Sequence, residues 1–441
     1  MNKKKVILLM IVFITIIIFF IIVALLNLNN NKISDLNSNI IQNDEEINEK
    51  IVSDDEIKLN NILMYVQDRT EYFSIKNIYK KYVSYSESGM NKELLSQFSE
   101  NYIKSKGINE NNVKKIVNID TIENPGLYGS YTCIINKMIT SEINENQKIY
   151  LIYGKYILKS TSKIQDLNLM IIVNNNDNVY CIYPYEYMKE KGYDKYNIGQ
   201  KVTLENIQIT RNDYNQKEIV TKTDSELSSE LMDDFNILLI SDKREAYDKL
   251  NAQYKKQKFS DYTKFEEFLS NKKYIPTINQ YRVYSKDDYT DYICTDQYNN
   301  YYIFRVQGGV MRYTVFLDNY TVELESFKEN YDKSNDSGKI AIQTGKFKQM
   351  LNLKDYNVIY STLNEKFKDN NFKTVSDLKK YLDEKIYNIN SIEIQEIAQK
   401  DDYYVCNGVI KNQQNQNEQK NIVIAIKLIS SNEFELSFSI E

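Results

Sequence analysis

The stretch that decides the fold runs from Asp242 to Tyr274, 242-DKREAYDKLNAQYKKQKFSDYTKFEEFLSNKKY-274. It aligns without a gap on 355-DYNVIYSTLNEKFKDNNFKTVSDLKKYLDEKIY-387, at a constant spacing of 113 residues. Nine positions are identical, and apolar residues face each other at further positions such as Phe265 and Leu378. Self-similarity at a fixed spacing is typical of tandem structural units. The chain is therefore predicted to contain repeated domains.

Apolar residues at helical spacing predict two helices in each copy. In the second copy these apolar positions are Ala246, Tyr247, Leu250 and Tyr254 for the first helix and Phe265, Phe268 and Leu269 for the second. Asp242 and Asp355 precede the first helix of their copies and are predicted to cap it. Thr374 with Asp377 predicts a capping box at the start of the last helix.

Alternating apolar and polar residues follow the helices and predict strands with one buried face. Turn residues between two such runs predict that the last two copies end in hairpins, at 301–317 and 422–440. A more diverged copy lies upstream, with helical apolar positions from Ile78 to Tyr102 and a hairpin at 169–183. The predicted fold class is α+β, with three repeats of helix, helix and a curved antiparallel sheet.

The N-terminal apolar stretch, residues 6–26, is long enough to cross a bilayer as a helix. Lysines at 3–5 precede it, so the positive-inside rule places residues 1–5 in the cytoplasm and the rest of the chain outside. A cleaved signal peptide is the alternative, but Val23 to Leu26 contains no small-x-small cleavage site. We therefore predict an uncleaved single-pass anchor, followed at 27–59 by a polar stalk that cannot fold alone.

These patterns divide the rest of the chain into repeats and linkers. The predicted boundaries are repeat 1 at 60–190, a linker at 191–233 with a strand at 201–209, repeat 2 at 234–326, a linker at 327–339 and repeat 3 at 340–441.

Helices followed by a strongly bent antiparallel sheet resemble the nuclear-transport-factor-like (NTF2-like), or cystatin-like, cone fold. One membrane helix before tandem domains of this kind resembles the extracytoplasmic subunits of Gram-positive conjugation and type IV secretion channels. The Ile-, Asn-, Lys- and Tyr-rich composition is similar to that of AT-rich Firmicutes. The resemblance covers residues 60–441 in element order only, and it implies tandem cone domains that bind other proteins.

Composition excludes several classes of function. The 56 basic and 61 acidic residues give a net charge of -5, which provides no electrostatic footprint for nucleic acid. The absence of histidine removes Ser/His/Asp and Cys/His triads and zinc–histidine sites. The adjacent Asp401 and Asp402 are interpreted as solvated turn residues rather than a glycosidase pair. We predict no enzymatic activity, no metal and no cofactor.

Cys133, Cys294 and Cys406 each occur in a Tyr-x-Cys pattern that is interpreted as the first strand of its copy. Buried core cysteine is the main interpretation, because a free thiol behaves as a small hydrophobic group. A disulfide between Cys133 and Cys181 is the alternative, since an exported chain meets an oxidising environment.

Tyrosine is abundant, with 38 residues, and most of these rings are interpreted as core residues. The exception is a candidate pocket on the concave sheet face of repeat 2, where aromatic rings and guanidinium donors occur together. Its predicted residues are Tyr301, Tyr302, Phe304, Arg305, Arg312 and Tyr313.

The leading hypothesis for function is a membrane-anchored, extracytoplasmic scaffold that binds protein partners or forms a homo-oligomer. An extracytoplasmic ligand-binding or sensory protein that uses the cone of repeat 2 is the alternative, with a ligand of unknown chemistry. An enzyme of unknown type is the second alternative.

Overall fold

The computed structural model describes residues 61–115, 131–158, 163–271, 274–308 and 311–441. Over these residues the chain is α+β and contains three antiparallel sheets, which confirms the predicted class at that level. Among the helices in these ranges, none combines the length and the apolar character that a bilayer crossing requires. The predicted anchor and stalk lie outside the described residues.

The first unit consists of a short strand, three helices, a sheet and a closing helix. Its elements are β1 (Met64–Tyr65), α1 (Arg69–Ser88), α2 (Asn91–Leu95), α3 (Glu100–Lys106), β2 (Tyr131–Asn144), β3 (Gln147–Leu158), β4 (Lys163–Asp166), β5 (Leu169–Asn174), β6 (Tyr180–Pro184) and α4 (Tyr185–Lys191). The strand order is β1-β2-β3-β5-β6, with β4 paired to β3.

The second and third units share one element order, a long helix, three short helices and a four-stranded meander. The second contains α5 (Asp224–Ser241), α6 (Lys243–Asp248), α7 (Ala252–Lys258), α8 (Tyr262–Ser270), β7 (Ile278–Lys286), β8 (Tyr289–Asp296), β9 (Tyr301–Gln307) and β10 (Tyr313–Phe316). Helix α9 (Glu325–Lys333) joins it to the third, which contains α10 (Asp336–Asn352), α11 (Tyr356–Thr362), α12 (Glu365–Asn371), α13 (Val375–Lys385), β11 (Asn390–Lys400), β12 (Tyr403–Asn412), β13 (Asn415–Leu428) and β14 (Phe434–Ile440).

The predicted hairpins are confirmed, because β5–β6, β9–β10 and β13–β14 pair antiparallel. The predicted capping box at Thr374 and Asp377 is also present. The boundaries of the predicted linkers are wrong, because the long helices α5 and α10 begin inside them. Helix α5 begins with its own capping box, Thr223 with Glu226.

The strand predicted at 201–209 is absent, apart from an isolated bridge between Lys201 and Ile62. The Gln147 side chain takes the place of a strand partner there. Its Nε2 donates to the Ile207 carbonyl at 2.5 Å, and its Oε1 accepts from the Ile207 N–H at 3.1 Å. Alternating apolar residues are therefore packed on the first unit without joining its sheet.

The first helix predicted in each repeat is interrupted, because the chain there pairs with the last strand of the sheet. The bridges Phe98–Ile182, Leu250–Val315 and Leu363–Leu436 are parallel and occupy the same place in all three units. The residue after each bridge starts a new helix as its N-cap, and at Asn251 and Asn364 the side chain accepts the capping hydrogen bonds. This recurrence shows that the three units are built alike.

A tyrosine on the second long strand of each sheet binds an acid in the first turn of the long helix of its unit. Tyr150 Oη donates to Glu71 at 2.6 Å and Tyr404 Oη donates to Asp336 at 2.5 Å. In the second unit the equivalent residue, Tyr292, interacts with Asp224. These bonds tie the meander to the helix N-terminus, where a carboxylate also interacts favourably with the helix dipole.

Strand register corrects the interpretation of the Tyr-x-Cys pattern. Cys294 and Cys406 lie on β8 and β12, the second strands of their sheets, whereas Cys133 lies on β2. The parallel bridges identify equivalent positions in the three sheets. By this register, the residue of the first unit that is equivalent to Cys294 and Cys406 is Ile152. Ile152 pairs with Leu169, as Cys294 pairs with Tyr302 and Cys406 with Ile424. The pattern at Cys133 is therefore a coincidence of sequence.

Over the described residues, the buried apolar side chains form two cores. The first is continuous through units one and two and reaches Phe327 of α9, while the second belongs to the third unit and includes Tyr320. The boundary between the cores therefore lies between units two and three.

Candidate functional site

The six residues of the predicted pocket do not line one pocket. Tyr302 and Phe304 on β9 are fully buried, and the Phe304 ring packs edge-on against Phe235 of α5 at 6.1 Å. Tyr301 lies on the other face of the sheet, where its ring contacts Phe327 at 5.1 Å. The sheet face that holds Tyr302 and Phe304 is thus packed against the unit's own long helix.

Arg305 also lies on the outer face and is satisfied within the chain. Its Nε and Nη2 bind the two carboxylate oxygens of the buried Asp291 at 2.7 and 2.8 Å, and its guanidinium stacks 3.8 Å from the Tyr289 ring. Burial acts to lower the pKa of Arg305, and the Asp291 carboxylate outweighs it, so the pKa lies above its usual value. This bidentate pair stabilises the sheet.

Arg312 and Tyr313 lie at the junction with the first unit. Arg312 Nη1 donates to Tyr65 Oη at 2.5 Å, and the Tyr313 ring packs against Phe304 at 5.7 Å. Tyr313 borders a cavity of about 20 Å³ between the units. The predicted pocket residues are therefore divided among a core, an ion pair and a junction.

Buried charges join the first two units. Lys76 of α1 contacts Glu230 at 2.6 Å and Asp234 at 3.1 Å, both on α5. Burial acts to raise the pKa of Glu230, but Lys76 and Lys80 outweigh it and lower the pKa to about 2. The carboxylate thus stays ionised beside its lysine partners.

A second buried cluster joins the second and third units. Lys258 of α7 donates to Asp318 at 2.8 Å and also binds Asp355, which precedes α11. Tyr254 Oη donates to Asp318 at 2.9 Å, and Tyr320 Oη donates to Asp355 at 3.1 Å. Burial acts to lower the pKa of Lys258, but the two carboxylates outweigh it and raise the pKa.

The two junctions use equivalent acids. Asp242 accepts from Lys155 of the first unit at 2.9 Å and also caps α6, as predicted. Asp355 makes no capping bond to α11, so its predicted cap is wrong. Its carboxylate binds the neighbouring unit instead, because Oδ2 accepts from both the Lys258 ammonium and the Tyr320 hydroxyl. Sequence analysis missed Lys155 and Lys258. The residue aligned with Lys258 is Asn371, so the lysine does not recur in the repeat.

All four cysteines are buried and free, in agreement with the core interpretation. Cys133 and Cys181 lie on β2 and β6, with β3 and β5 between them. Three strand spacings amount to about 14 Å, which exceeds the reach of a disulfide. Burial raises the pKa of the Cys133 thiol to about 12, so it stays protonated.

An open cleft of about 890 Å³ lies where α9 meets the turns of the third sheet. Its lining residues are Glu323, Lys328, Tyr331, Asp332, Asp336, Lys339, Gln399, Asp401, Asp402, Tyr404, Lys427, Leu428, Ile429, Ser430, Ser431, Asn432 and Glu433. Six carboxylates and three lysines give the lining an excess of negative charge. The sequence signals for this site were weak, because its residues come from helices and turns that are distant along the chain.

Lys346 of α10 anchors the β13–β14 turn at one wall of this cleft. It is 2% exposed, and its Nζ donates to the Ser431 carbonyl at 2.5 Å and to Asn432 Oδ1 at 3.1 Å. Burial lowers the pKa of Lys346 to about 8, and the charges of Glu323 and Asp318 offset this only in part. Neutral acceptors cannot fully replace the lost hydration of an ammonium group.

We expect the stability that Lys346 contributes to rise between pH 8 and pH 10.5. The unfolded chain keeps the lysine protonated up to its usual pKa near 10.5, whereas the folded chain releases the proton near 8. The free energy of unfolding of wild type, relative to Lys346→Met, should therefore increase by about 3 kcal/mol across this window, at 1.36 kcal/mol per pKa unit. Urea unfolding of both proteins at a series of pH values measures this increase. A difference in unfolding free energy that stays constant with pH would contradict the lowered pKa of Lys346.

Among the described residues, no group of three or more acidic or cysteine side chains is placed to hold a metal ion. Comparison of the chain with protein-family models, with curated proteins and with solved structures finds no match.

Proposed function

We propose that this chain is a single-pass membrane protein whose three tandem cone-like domains form an extracytoplasmic scaffold for protein partners, without catalytic activity. The observation that carries it is the pair of buried junctions, Lys76 with Glu230 and Asp234, and Lys258 with Asp318 and Asp355. These contacts join consecutive units directly, so the units can present surfaces at fixed separations. Such an arrangement suits a scaffold. The absence of histidine and the apolar stretch at 6–26 support the non-catalytic and membrane-anchored parts of the proposal.

Two measurements on the full chain test this function. The tagged protein is expected to fractionate with membranes, to resist alkaline extraction, and to expose its C-terminal domains to protease only on the extracytoplasmic side. After mild detergent solubilisation it is expected to elute with partners or as an oligomer. A matched chain that begins at residue 27 serves as the control for anchoring. A full chain that is strictly monomeric and retains no partner would contradict the scaffold function.

A further inference from the structure

We propose that the cleft between α9 and the third sheet binds a basic, extended segment of a partner protein. This partner chemistry rests on the scaffold function proposed above. The cleft volume of about 890 Å³ is within the range of ligand sites and accommodates several side chains.

The β13–β14 turn, which forms one wall of the cleft, is held in place by buried side chains of α10. Gln343 Nε2 donates to the carbonyls of Ser430 and Ser431 at 2.8 and 3.2 Å, and Lys346 donates to the same Ser431 carbonyl. The Ser431 hydroxyl also binds Glu323. Because Gln343 and Lys346 are buried, the β13–β14 turn is ordered before any partner arrives. Pre-ordering of this kind lowers the entropy lost on binding.

The charges of the cleft favour a cationic occupant. Asp402 is neutralised by Lys427 at 3.4 Å, and Asp336 accepts from Tyr404. Within the described part of the chain, the carboxylates of Asp332, Asp401 and Glu433 have no ion-pair or side-chain donor. A lysine or arginine side chain that entered here would gain carboxylate partners without displacing one.

Aromatic and apolar groups complete the match to a peptide. The Tyr331 ring already has the Lys339 ammonium 5.3 Å from its centre, which shows that the ring can bind a cation. Ile429 is 52% exposed at the same turn and offers a contact for an aliphatic side chain. The cleft therefore suits a segment in which basic residues alternate with apolar ones.

The probe is a fluorescein-labelled peptide of sequence KLKLKLKL, titrated by anisotropy against the full chain in detergent. Saturable one-to-one binding that weakens with salt is expected. The double variant Asp332→Asn and Asp401→Asn should weaken it at least tenfold, since both carboxylates are exposed and unpaired. Asp401 has a φ of 53°, which asparagine adopts readily, so the turn is preserved.

The control is the double variant Asp213→Asn and Asp369→Asn, which makes the same charge change at exposed positions outside the cleft. If both double variants weakened peptide binding equally, the binding would depend only on the net charge of the protein, and the cleft assignment would be overturned. Equal binding of a peptide of sequence ELELELEL would overturn it as well, as would a Ca²⁺-dependent rise in melting temperature without peptide binding.

If the peptide binds at the cleft but the full chain retains no partner, the scaffold function alone fails. If a partner is retained by the cleft variant as by wild type, the cleft inference alone fails.

Discussion

Replacing Lys258 by methionine is expected to lower the free energy of unfolding by about 3–5 kcal/mol. The substitution would leave the carboxylates of Asp318 and Asp355 without their shared ammonium partner, and Asp318 is completely buried. Tyr254 and Tyr320 still donate to these acids, but two hydroxyls do not compensate two buried charges. Urea unfolding followed by far-UV circular dichroism and tyrosine fluorescence measures the loss, since the chain has no tryptophan.

Lys255→Met is the matched control, because Lys255 lies on the same helix and makes weaker contacts, 3.9 Å from Asp248 and 4.8 Å from the centre of the Tyr247 ring. Partly exposed pairs of this kind contribute about 1 kcal/mol or less. The triple variant Lys258→Met, Asp318→Asn, Asp355→Asn is expected to recover part of the loss, because it removes the uncompensated charges. A Lys258→Met protein as stable as the control would show that the polar cluster does not hold the junction.

Replacing Phe304 by alanine is expected to destabilise the chain by a similar amount, about 3–5 kcal/mol. The ring is fully buried in the first core, between Phe235 of α5 and Tyr313 of β10. The substitution removes its apolar contacts and leaves a cavity that the two rings cannot fill. The same unfolding measurement gives the magnitude.

Tyr281→Ala is the comparison for this prediction. Tyr281 pairs with Cys294 and is 44% exposed at the edge of the same sheet, so its removal should change stability by less than about 1 kcal/mol. If Phe304 lined an open pocket, its truncation would be equally mild. A Phe304→Ala protein within 1 kcal/mol of wild type would therefore restore the pocket that the sequence pattern suggested.

Local patterns predicted those parts of the fold whose causes are local. The hairpin at 422–440 follows from alternation on both sides of Ser430 and Ser431, and the capping box at Thr374 needs only two residues three positions apart. Tandem repetition was visible because the helices of the second and third units bury the same face. The cleft was not predictable, because Tyr331, Asp401 and Glu433 are contributed by three separate elements.

Leu250 illustrates why helical spacing can mislead. Its spacing from Ala246 and Tyr254 is helical, yet the backbone at Leu250 bridges to Val315 and the helix breaks there. Asn251 then caps the next helix, which compensates the lost helical bonds. The spacing of apolar residues indicates which side chains are buried. It does not indicate which backbone groups form hydrogen bonds with each other.

The sequence alone determined the repeats and the hairpins, because each depends on the burial of side chains at regular intervals. Only the tertiary structure decided the roles of Asp355, Arg305 and Phe304. Asp355 is an interunit partner rather than a cap, Arg305 is satisfied by Asp291, and Phe304 is core rather than pocket. The physical reason is that partners such as Lys258 and Asp355 lie far apart along the chain. Charge pairing and cavity shape therefore exist only after the units have packed together.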